Sequence, residues 1–262
     1  MNIYEPKFTI NDKMQDYINI IMKKVEELDN YNGLSNKNAF KRNNRIRSIY
    51  STLKLDSSDL TIEEVKEIID RKKIFIEEKE ALFVKNIYNA YDIIYRYECY
   101  KLRDFRRIHR IILDCLSSRG GKFRIKPELK KDEHFLSSCD RMTPIMNSLF
   151  DFIKQKRYEI HPLILSSILH YEIMTIKPYA RENGKCARLW QIVMLYNWEG
   201  IFQYIPVEMQ LEKYKDQYYE VIDRCYKQGD STMFIEFMLK IIDKILDNLI
   251  RYKNKQMMKE AV

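Results

Sequence analysis

The scarcity of glycine and proline is the feature that most constrains the fold of this chain. Its 262 residues include only 6 glycines and 6 prolines, so few residues favour tight turns. A sandwich or barrel of many short strands needs such turns at short intervals, whereas helices joined by short loops do not. Because 45% of the residues are hydrophobic, the chain can bury a sizeable core. Together these observations predict a folded, mainly helical protein.

Hydrophobic periodicity indicates where the helices lie. Apolar residues between Met14 and Leu28 recur at steps of three and four, which is typical of an amphipathic helix. Thr61 and Glu64 form a capping-box pattern, which predicts the start of another helix. Similar patterns predict further helices over about residues 41–55, 83–97, 102–116, 141–156, 163–176, 185–198, 208–226 and 232–252.

The helical pattern is interrupted at the segment SSRGGKFRIKP. Gly120 and Gly121 allow the chain to turn, and residues 122–125 have strand character. The polar stretch that follows, up to Cys139, is long enough for a return strand. The sequence therefore predicts one small β-hairpin within about Gly121–Cys139 in an otherwise all-α helical bundle.

The domain organisation predicted from these patterns is simple. We expect a single domain at residues 41–252, preceded by an N-terminal helical arm at 1–40 and followed by a frayed tail at 253–262. No run of about 18 uncharged apolar residues occurs, so no membrane span is predicted. The 5 cysteines are scattered without a CxxC pair, which favours free thiols in a reducing cytoplasm. The net charge of +8 permits nucleic-acid binding without requiring it.

The segment with the most chemical content is KPYARENGKCAR, at residues 177–188. Asn183 and Gly184 stand at the start of a predicted helix, whose N-terminus offers unpaired N–H groups and the positive end of a dipole. Gly184 allows a ligand to approach the backbone closely, and Arg188 lies one turn further on. These features are typical of a phosphate cradle. The same residues also suit a purely structural role in joining a turn to a helix.

The order of these residues resembles the signature of the Fic family, also called Fido. That signature is His-Pro-Phe, two residues of which the second is acidic, Gly-Asn-Gly-Arg, two more residues, and Arg. The sequences on either side, HPLILSSILHYEIMTI and RLWQ, resemble the helices that flank the family's loop. The likeness extends from about Arg45 to Tyr252 and includes VKNIYNAY and GGKFR in the family's order.

This resemblance implies a Fic fold, which is a compact helical bundle with a β-hairpin flap. It also implies a nucleotidyltransferase that moves part of a nucleotide, most often AMP from ATP, to a hydroxyl of a protein target. In the family the signature histidine is the base, the acidic residue holds Mg²⁺, and the flap binds the target by strand addition. The resemblance makes Asn183, Gly184, Lys185 and Arg188 the residues that bind the nucleotide.

The region at about 41–57 resembles the inhibitory helix of the family, in which a serine or threonine precedes a glutamate by four residues. Thr52 and Asp56 take these two places, with a shorter acid. In the family the acid meets the last arginine of the signature, which is Arg188 here. Without the resemblance, Asp56 would be an ordinary surface aspartate beside a turn.

Three departures from the signature bear on the chemistry. Lys177 takes the place of the catalytic histidine, and a lysine with an unperturbed pKa of about 10.4 cannot accept a proton at neutral pH. Arg181 replaces the acidic metal ligand and would repel Mg²⁺. Glu182 replaces the first glycine of the loop, where it either opposes phosphate, turns outward or serves as a substitute ligand. In addition, Lys185 in place of arginine keeps the charge but loses the bidentate fork.

Two functional hypotheses follow. In the first, the protein is an altered Fic-type enzyme that uses ATP or another nucleotide, with ordinary adenylylation reduced or abolished and Mg²⁺ use doubtful. In the second, it is a pseudoenzyme whose fold serves as a protein-binding or regulatory module. Nucleic-acid binding is a third class, suggested only by the basic charge. The four histidines form no metal set, and we expect His170 to be a hydrogen-bonded core residue.

Overall fold

A computed structural model describes residues 4–29, 38–72, 75–125 and 141–260. The regular structure within these ranges is helical, and no strand occurs in them. The α-helices in chain order are α1 (Asp12–Asp29), α2 (Asn38–Leu55), α3 (Ile62–Ile69), α4 (Glu78–Asp92), α5 (Leu102–Ile112), α6 (Met142–Lys156), α7 (Pro162–Ile176), α8 (Asn183–Trp198), α9 (Val207–Lys213), α10 (Lys215–Gln228) and α11 (Thr232–Glu260). Short 3₁₀-helices lie at Ile94–Arg96 and Gly200–Tyr204.

The capping box predicted at the start of α3 is confirmed. The backbone N–H of Glu64 donates to Thr61 Oγ1 over 3.2 Å, and the Glu64 carboxylate accepts from the backbone N–H of Thr61 over 2.7 Å. This reciprocal pair satisfies two amides that the first turn of a helix leaves without a partner.

The predicted helix over 102–116 is shorter, because α5 ends at Ile112. The side-chain amide of Asn86 donates to the carbonyl oxygens of Ile112 and Asp114, over 3.3 Å and 2.8 Å. These contacts satisfy carbonyl groups at the end of α5. Because Asn86 lies on α4, the spacing of apolar residues within α5 could not predict that α5 ends at Ile112.

The predicted helix over 208–226 is divided into α9 and α10 at Tyr214. The amide of Tyr214 donates to Leu211 and its carbonyl accepts from the amide of Tyr218, so one residue ends a helix and begins the next. No glycine or proline marks this break. The last helix, α11, continues to Glu260 and therefore runs through residues for which we predicted a frayed tail.

The predicted β-hairpin lies mostly outside the described residues. Of Gly121–Cys139, the structure describes 121–125, and no strand is assigned there. The amide of Arg124 donates to the carbonyl oxygen of Pro178 over 2.9 Å. This described part of the segment therefore lies against the loop that follows α7.

The core is built around α7 and α8, which pack against each other, while α11 covers α7. Almost every residue of α7 is buried. The helix α1 packs along α11 and contributes Met14, Ile18 and Ile21 to the same hydrophobic cluster. The predicted N-terminal arm thus contains a helix that shares the main core.

The described residues bear on the predictions about membrane spans and cysteines. None of their helices is both long and apolar enough to cross a membrane. Cys99, Cys115, Cys186 and Cys225 are free thiols, while Cys139 lies outside the part of the chain that the structure describes.

Candidate active site

The loop between α7 and α8 begins where Lys177 ends α7 in a left-handed conformation, with φ of 46°. Arg124 is buried beside it and donates from Nε to the carbonyl oxygen of Lys177 over 2.8 Å and from Nη2 toward that of Ile176 over 3.4 Å. A guanidinium at the C-terminus of a helix satisfies free carbonyl groups and complements the negative end of the dipole. Arg124 therefore fixes the start of the loop.

Asn183 closes the loop on itself. Its side-chain Oδ1 accepts from the backbone N–H of Tyr179 over 2.8 Å, and its Nδ2 donates to the carbonyl oxygen of Tyr179 over 2.7 Å. The ring of Tyr179 is buried and stacks on the His109 ring, with centroids 3.6 Å apart and planes 6° apart. The amide of Asn183 thus holds the loop in shape from inside.

His109 connects this loop to α5. Its Nδ1 accepts the backbone N–H of Gly121 over 2.9 Å, and its Nε2 lies 3.2 Å from the carbonyl oxygen of Arg181. Since the amide of Gly121 can only donate, Nδ1 is unprotonated and Nε2 carries the hydrogen that Arg181 accepts. Burial lowers the pKa of His109 to about 4. The ring is therefore neutral near pH 7, and its hydrogen bonds hold the loop against α5 and Gly121.

Glu182 precedes α8 with φ of 65°, in the left-handed region that favours glycine. A side chain in this conformation costs roughly 1 kcal/mol or more. The Glu182 carboxylate lies 3.0 Å from Lys185 Nζ. The Glu182 side chain therefore points toward the first turn of α8 and pairs with Lys185.

Asp56 reaches the same turn of α8 from the end of α2. Its Oδ2 lies 2.5 Å from Lys185 Nζ and 2.9 Å from Arg188 Nη2. Arg188 also donates from Nε to Thr52 Oγ1 over 2.7 Å and from Nη2 to the Thr52 carbonyl oxygen over 3.1 Å. The structure thus brings together Thr52, Asp56, Lys185 and Arg188.

The ionisation of Asp56 follows from its surroundings. Burial works to raise the pKa of its carboxyl, but the charges of Arg188 and Lys185 outweigh burial and hold that pKa below its usual value. Asp56 is therefore a carboxylate at neutral pH. It lies at the N-terminal end of α8, where the helix dipole also favours an anion.

The end of α2 is held in place from α10. The hydroxyl of Tyr219 donates to the carbonyl oxygen of Leu55 over 3.0 Å, and Lys215 Nζ donates to that of Lys54 over 2.9 Å. These contacts satisfy carbonyl groups at the C-terminus of α2. They position Asp56, and the sequence pattern gave no sign of them.

The absence of a side chain at Gly184 leaves room for the buried guanidinium of Arg188. A Cβ at Gly184 would lie 3.0 Å from Arg188 Nη1 and 3.4 Å from Asp56 Oδ1. Arg188 is buried, and its Nη1 has no hydrogen-bond partner among the described residues. A buried donor without an acceptor costs about 1–3 kcal/mol. This donor lies against the first turn of α8, close to Gly184.

The outer side of the loop is open. Arg181 is exposed and, with Glu182, lines a cavity of about 570 Å³ whose wall includes Phe83 of α4. Lys177 is half-buried at the end of α7. Within the described ranges, no group of three or more histidine, cysteine, aspartate or glutamate side chains is arranged to hold a metal ion.

His170 has the core role that we expected. Its Nδ1 lies 2.6 Å from Gln191 Oε1 and its Nε2 lies 2.8 Å from the hydroxyl of Tyr218. Burial lowers its pKa to about 3. It is a neutral residue between α7, α8 and α10.

This geometry can be compared with known proteins. A model of the Fic/DOC family matches residues 99–195, which include α5, α6, α7 and most of α8. A Fic family protein from Desulfovibrio desulfuricans G20 has a solved structure that is 27% identical, with a TM-score of 0.85 over 95% of this chain and 78% of that one. These matches support a Fic (Fido) family protein.

Other relatives agree with this assignment. The chain is 24% identical over 208 residues to the protein adenylyltransferase Fic of Nematostella vectensis, covering 76% of this chain and 47% of the relative. It is 23% identical to that of Aedes aegypti, covering 77% and 41%. The chain thus spans less than half the length of these curated relatives. A Fic-domain signaling protein from Bacteroides thetaiotaomicron, 18% identical with a TM-score of 0.72 over 88% of this chain and 95% of that one, shares the helical fold.

Proposed function

We propose that this Fic-family protein binds a nucleotide phosphate at the N-terminus of α8, that its own Asp56 occupies this place, and that ordinary AMP transfer is reduced or abolished. The position of Asp56 is the observation that carries the proposal. One carboxylate oxygen contacts both Lys185 and Arg188 at the start of a helix. These are the donors that a phosphate would use in the same place.

The surroundings of the cradle support a nucleotide as the ligand. The unused Nη1 of Arg188 provides a further buried donor. The neighbouring cavity of about 570 Å³, beside Glu182, has a volume typical of small-molecule sites and an aromatic wall at Phe83. The adenylyltransferase relatives make ATP the first nucleotide to test.

The residues present do not fit the Mg²⁺ of the family's reaction. Magnesium prefers carboxylate ligands, and Arg181 stands where the family has its acid. Two carboxylates near the loop, Asp56 and Glu182, are both paired with Lys185. Glu77 and Glu80 line the neighbouring cavity with Arg181, and the described residues contain no cluster of three or more such groups arranged to hold a metal ion. The proposed function at this loop therefore involves no metal.

The base of the reaction is also absent. Lys177 replaces the histidine, and an unperturbed lysine is protonated at neutral pH. His109 is neutral, but both of its ring nitrogens are engaged by the backbone of Gly121 and Arg181. With the family histidine replaced and His109 engaged by the backbone, we expect a bound nucleotide to be a ligand and not a donor of AMP.

Mass spectrometry after incubation with ATP and Mg²⁺ tests this function. We expect no added AMP on the wild type, on Asp56→Asn or on Lys177→His. We expect AMP addition once Asp56→Asn is combined with Lys177→His, Arg181→Asp and Glu182→Gly, because the base, the metal ligand and the loop glycine return together.

The control for this experiment is Asp223→Asn, which removes the same charge from an exposed ion pair with Lys227 on α10. Circular dichroism establishes that each variant is folded. Robust Mg²⁺-dependent adenylylation by the wild type would overturn the proposal. The pseudoenzyme hypothesis without a nucleotide would be favoured if no variant bound ATP.

A further inference from the structure

A row of arginines lies along the outer face of α5. Arg103, Arg106, Arg107 and Arg110 follow one another at steps of three, one and three residues, so they share one side of the helix. The opposite side is buried in the core through Phe105, Ile108 and Ile112. At a rise of 1.5 Å per residue, the row extends for about 10 Å.

These arginines line a cleft of about 760 Å³, which we call the α5 cleft. Its other walls come from the segment Gly120–Gly121–Lys122 and from Asn147 of α6. The two glycines allow the chain to lie directly on α5. A Cβ at Gly121, which has φ of 73°, would lie 2.8 Å from the carbonyl oxygen of Arg106.

The shape of the cleft is held by the arginine side chains themselves. Arg106 donates from Nε to the carbonyl oxygen of Gly121 over 2.9 Å, and its guanidinium lies over the ring of Phe123, 5.3 Å from the centroid. The guanidinium of Arg107 lies 6.0 Å from the ring centroid of Tyr97. Contacts of this kind hold a cation in place without cancelling its charge.

The charge of the α5 cleft is not balanced by its own residues. Its lining contains the four arginines and Lys122 but a single carboxylate, Asp104. The side chain of Asp104 is only 5% exposed, and it accepts from the amide of Glu98 over 3.0 Å and from Arg103 Nε over 3.2 Å. Asp104 is therefore directed at its neighbours, and the outer arginines present a net positive surface.

We infer that the α5 cleft binds the sugar–phosphate backbone of a single-stranded nucleic acid. Arginine forks match phosphate oxygens in pairs, and a line of cations along one helix in a basic protein is the electrostatic footprint of nucleic-acid binding. The concave shape admits a single strand, whereas a stiff duplex presents a convex rod.

Fluorescence anisotropy with a labelled oligouridylate of about 12 nucleotides tests this inference, a length within known single-strand site sizes. The variant is Arg103→Gln with Arg110→Gln, since both side chains are exposed and outside the α8 site. The matched control is Arg224→Gln with Lys227→Gln, which removes two exposed cations from α10. Circular dichroism verifies that both variants are folded.

We expect the wild type to bind at about 50 mM salt and to weaken steeply as salt rises. In a plot of log affinity against log salt, the Arg103→Gln, Arg110→Gln variant should have a slope shallower by about 1.4, from two lost phosphate contacts. The α10 control should keep the wild-type slope.

Three results would overturn the inference. The first is no binding by the wild type at low salt. The second is an equal loss in the variant and in the α10 control. The third is tighter binding of a competing ligand than of the oligouridylate. Tighter binding of the same oligouridylate paired with its complement would assign the cleft to a duplex, and tighter binding of polyglutamate of equal charge would assign it to an acidic protein.

Discussion

Two groups of cations in this protein differ in whether the chain itself neutralises them. At the start of α8, Lys185 and Arg188 are buried and share the carboxylate of Asp56. Along α5, the arginine row is largely exposed, and the carboxylate of the cleft, Asp104, faces inward. Burial makes an unpaired charge costly, so the first group requires an internal counter-ion, whereas water solvates the second.

The difference decides what each region can bind. Under the proposed function, an external anion binds at the α8 site only if it replaces Asp56, so binding there is coupled to the end of α2. The α5 cleft is open, so binding there needs no displacement but is weakened by salt. One region is occupied by the protein itself, and the other is available.

The largest expected effect comes from removing the buried cation. We predict that Arg188→Met lowers the free energy of unfolding by about 3 kcal/mol, because breaking a buried ion pair leaves its partner without compensation. Thr52 also loses the donor that its side chain and carbonyl accept. Urea denaturation at neutral pH measures this change.

The same substitution on the exposed row is the control. Arg110→Met on α5 should change the free energy of unfolding by no more than about 0.5 kcal/mol, because Arg110 is exposed and an exposed cation contributes little to stability. An equal loss of unfolding free energy in both variants would show that the buried cation of α8 contributes no more to stability than the exposed cation of α5.

His109 lies between the two regions and gives the next largest effect. Its pKa is lowered from 6.5 to about 4 by burial in the native state, so between these values the unfolded chain binds a proton that the native protein does not. Stability therefore falls as pH decreases from about 6.5 to 4, by up to about 1.4 kcal/mol per pH unit from this residue.

Denaturation at several pH values checks this prediction through the variant His109→Asn, whose amide can still accept from Gly121. Its stability should fall less steeply than that of the wild type over the same window. Arg110→Gln, on the exposed face of the same helix, should keep the wild-type slope. An unchanged slope in His109→Asn would contradict the assigned neutral ring.

The sequence predicts those parts of the fold whose cause is local. The stripe of α1 and the capping box of Thr61 and Glu64 depend on residues within a turn or two of each other, and both are present. The end of α5 depends on Asn86 of another helix, and the break at Tyr214 contains no glycine or proline. These features depend on tertiary contacts, which cannot be predicted from the spacing of apolar residues along the chain.

The site shows the same division. The signature resemblance identified the window at 177–188 and pointed to Asp56 as a neighbour of Arg188. It did not reveal that Arg124 caps α7 or that His109 holds the carbonyl of Arg181. The spacing of the arginines on α5 is visible in the sequence, but the cleft exists only because Gly121 packs on the backbone of that helix.

Calorimetric titration of ATP into the wild type and Asp56→Asn tests the central claim, that Asp56 occupies the phosphate position at α8. The account predicts that Asp56→Asn binds at least about tenfold more tightly, a difference of about 1.4 kcal/mol, because Arg188 loses its carboxylate partner and Lys185 keeps only Glu182. Asp223→Asn should bind as the wild type does. Equal affinity in the wild type and Asp56→Asn, or no binding by either, would contradict the claim.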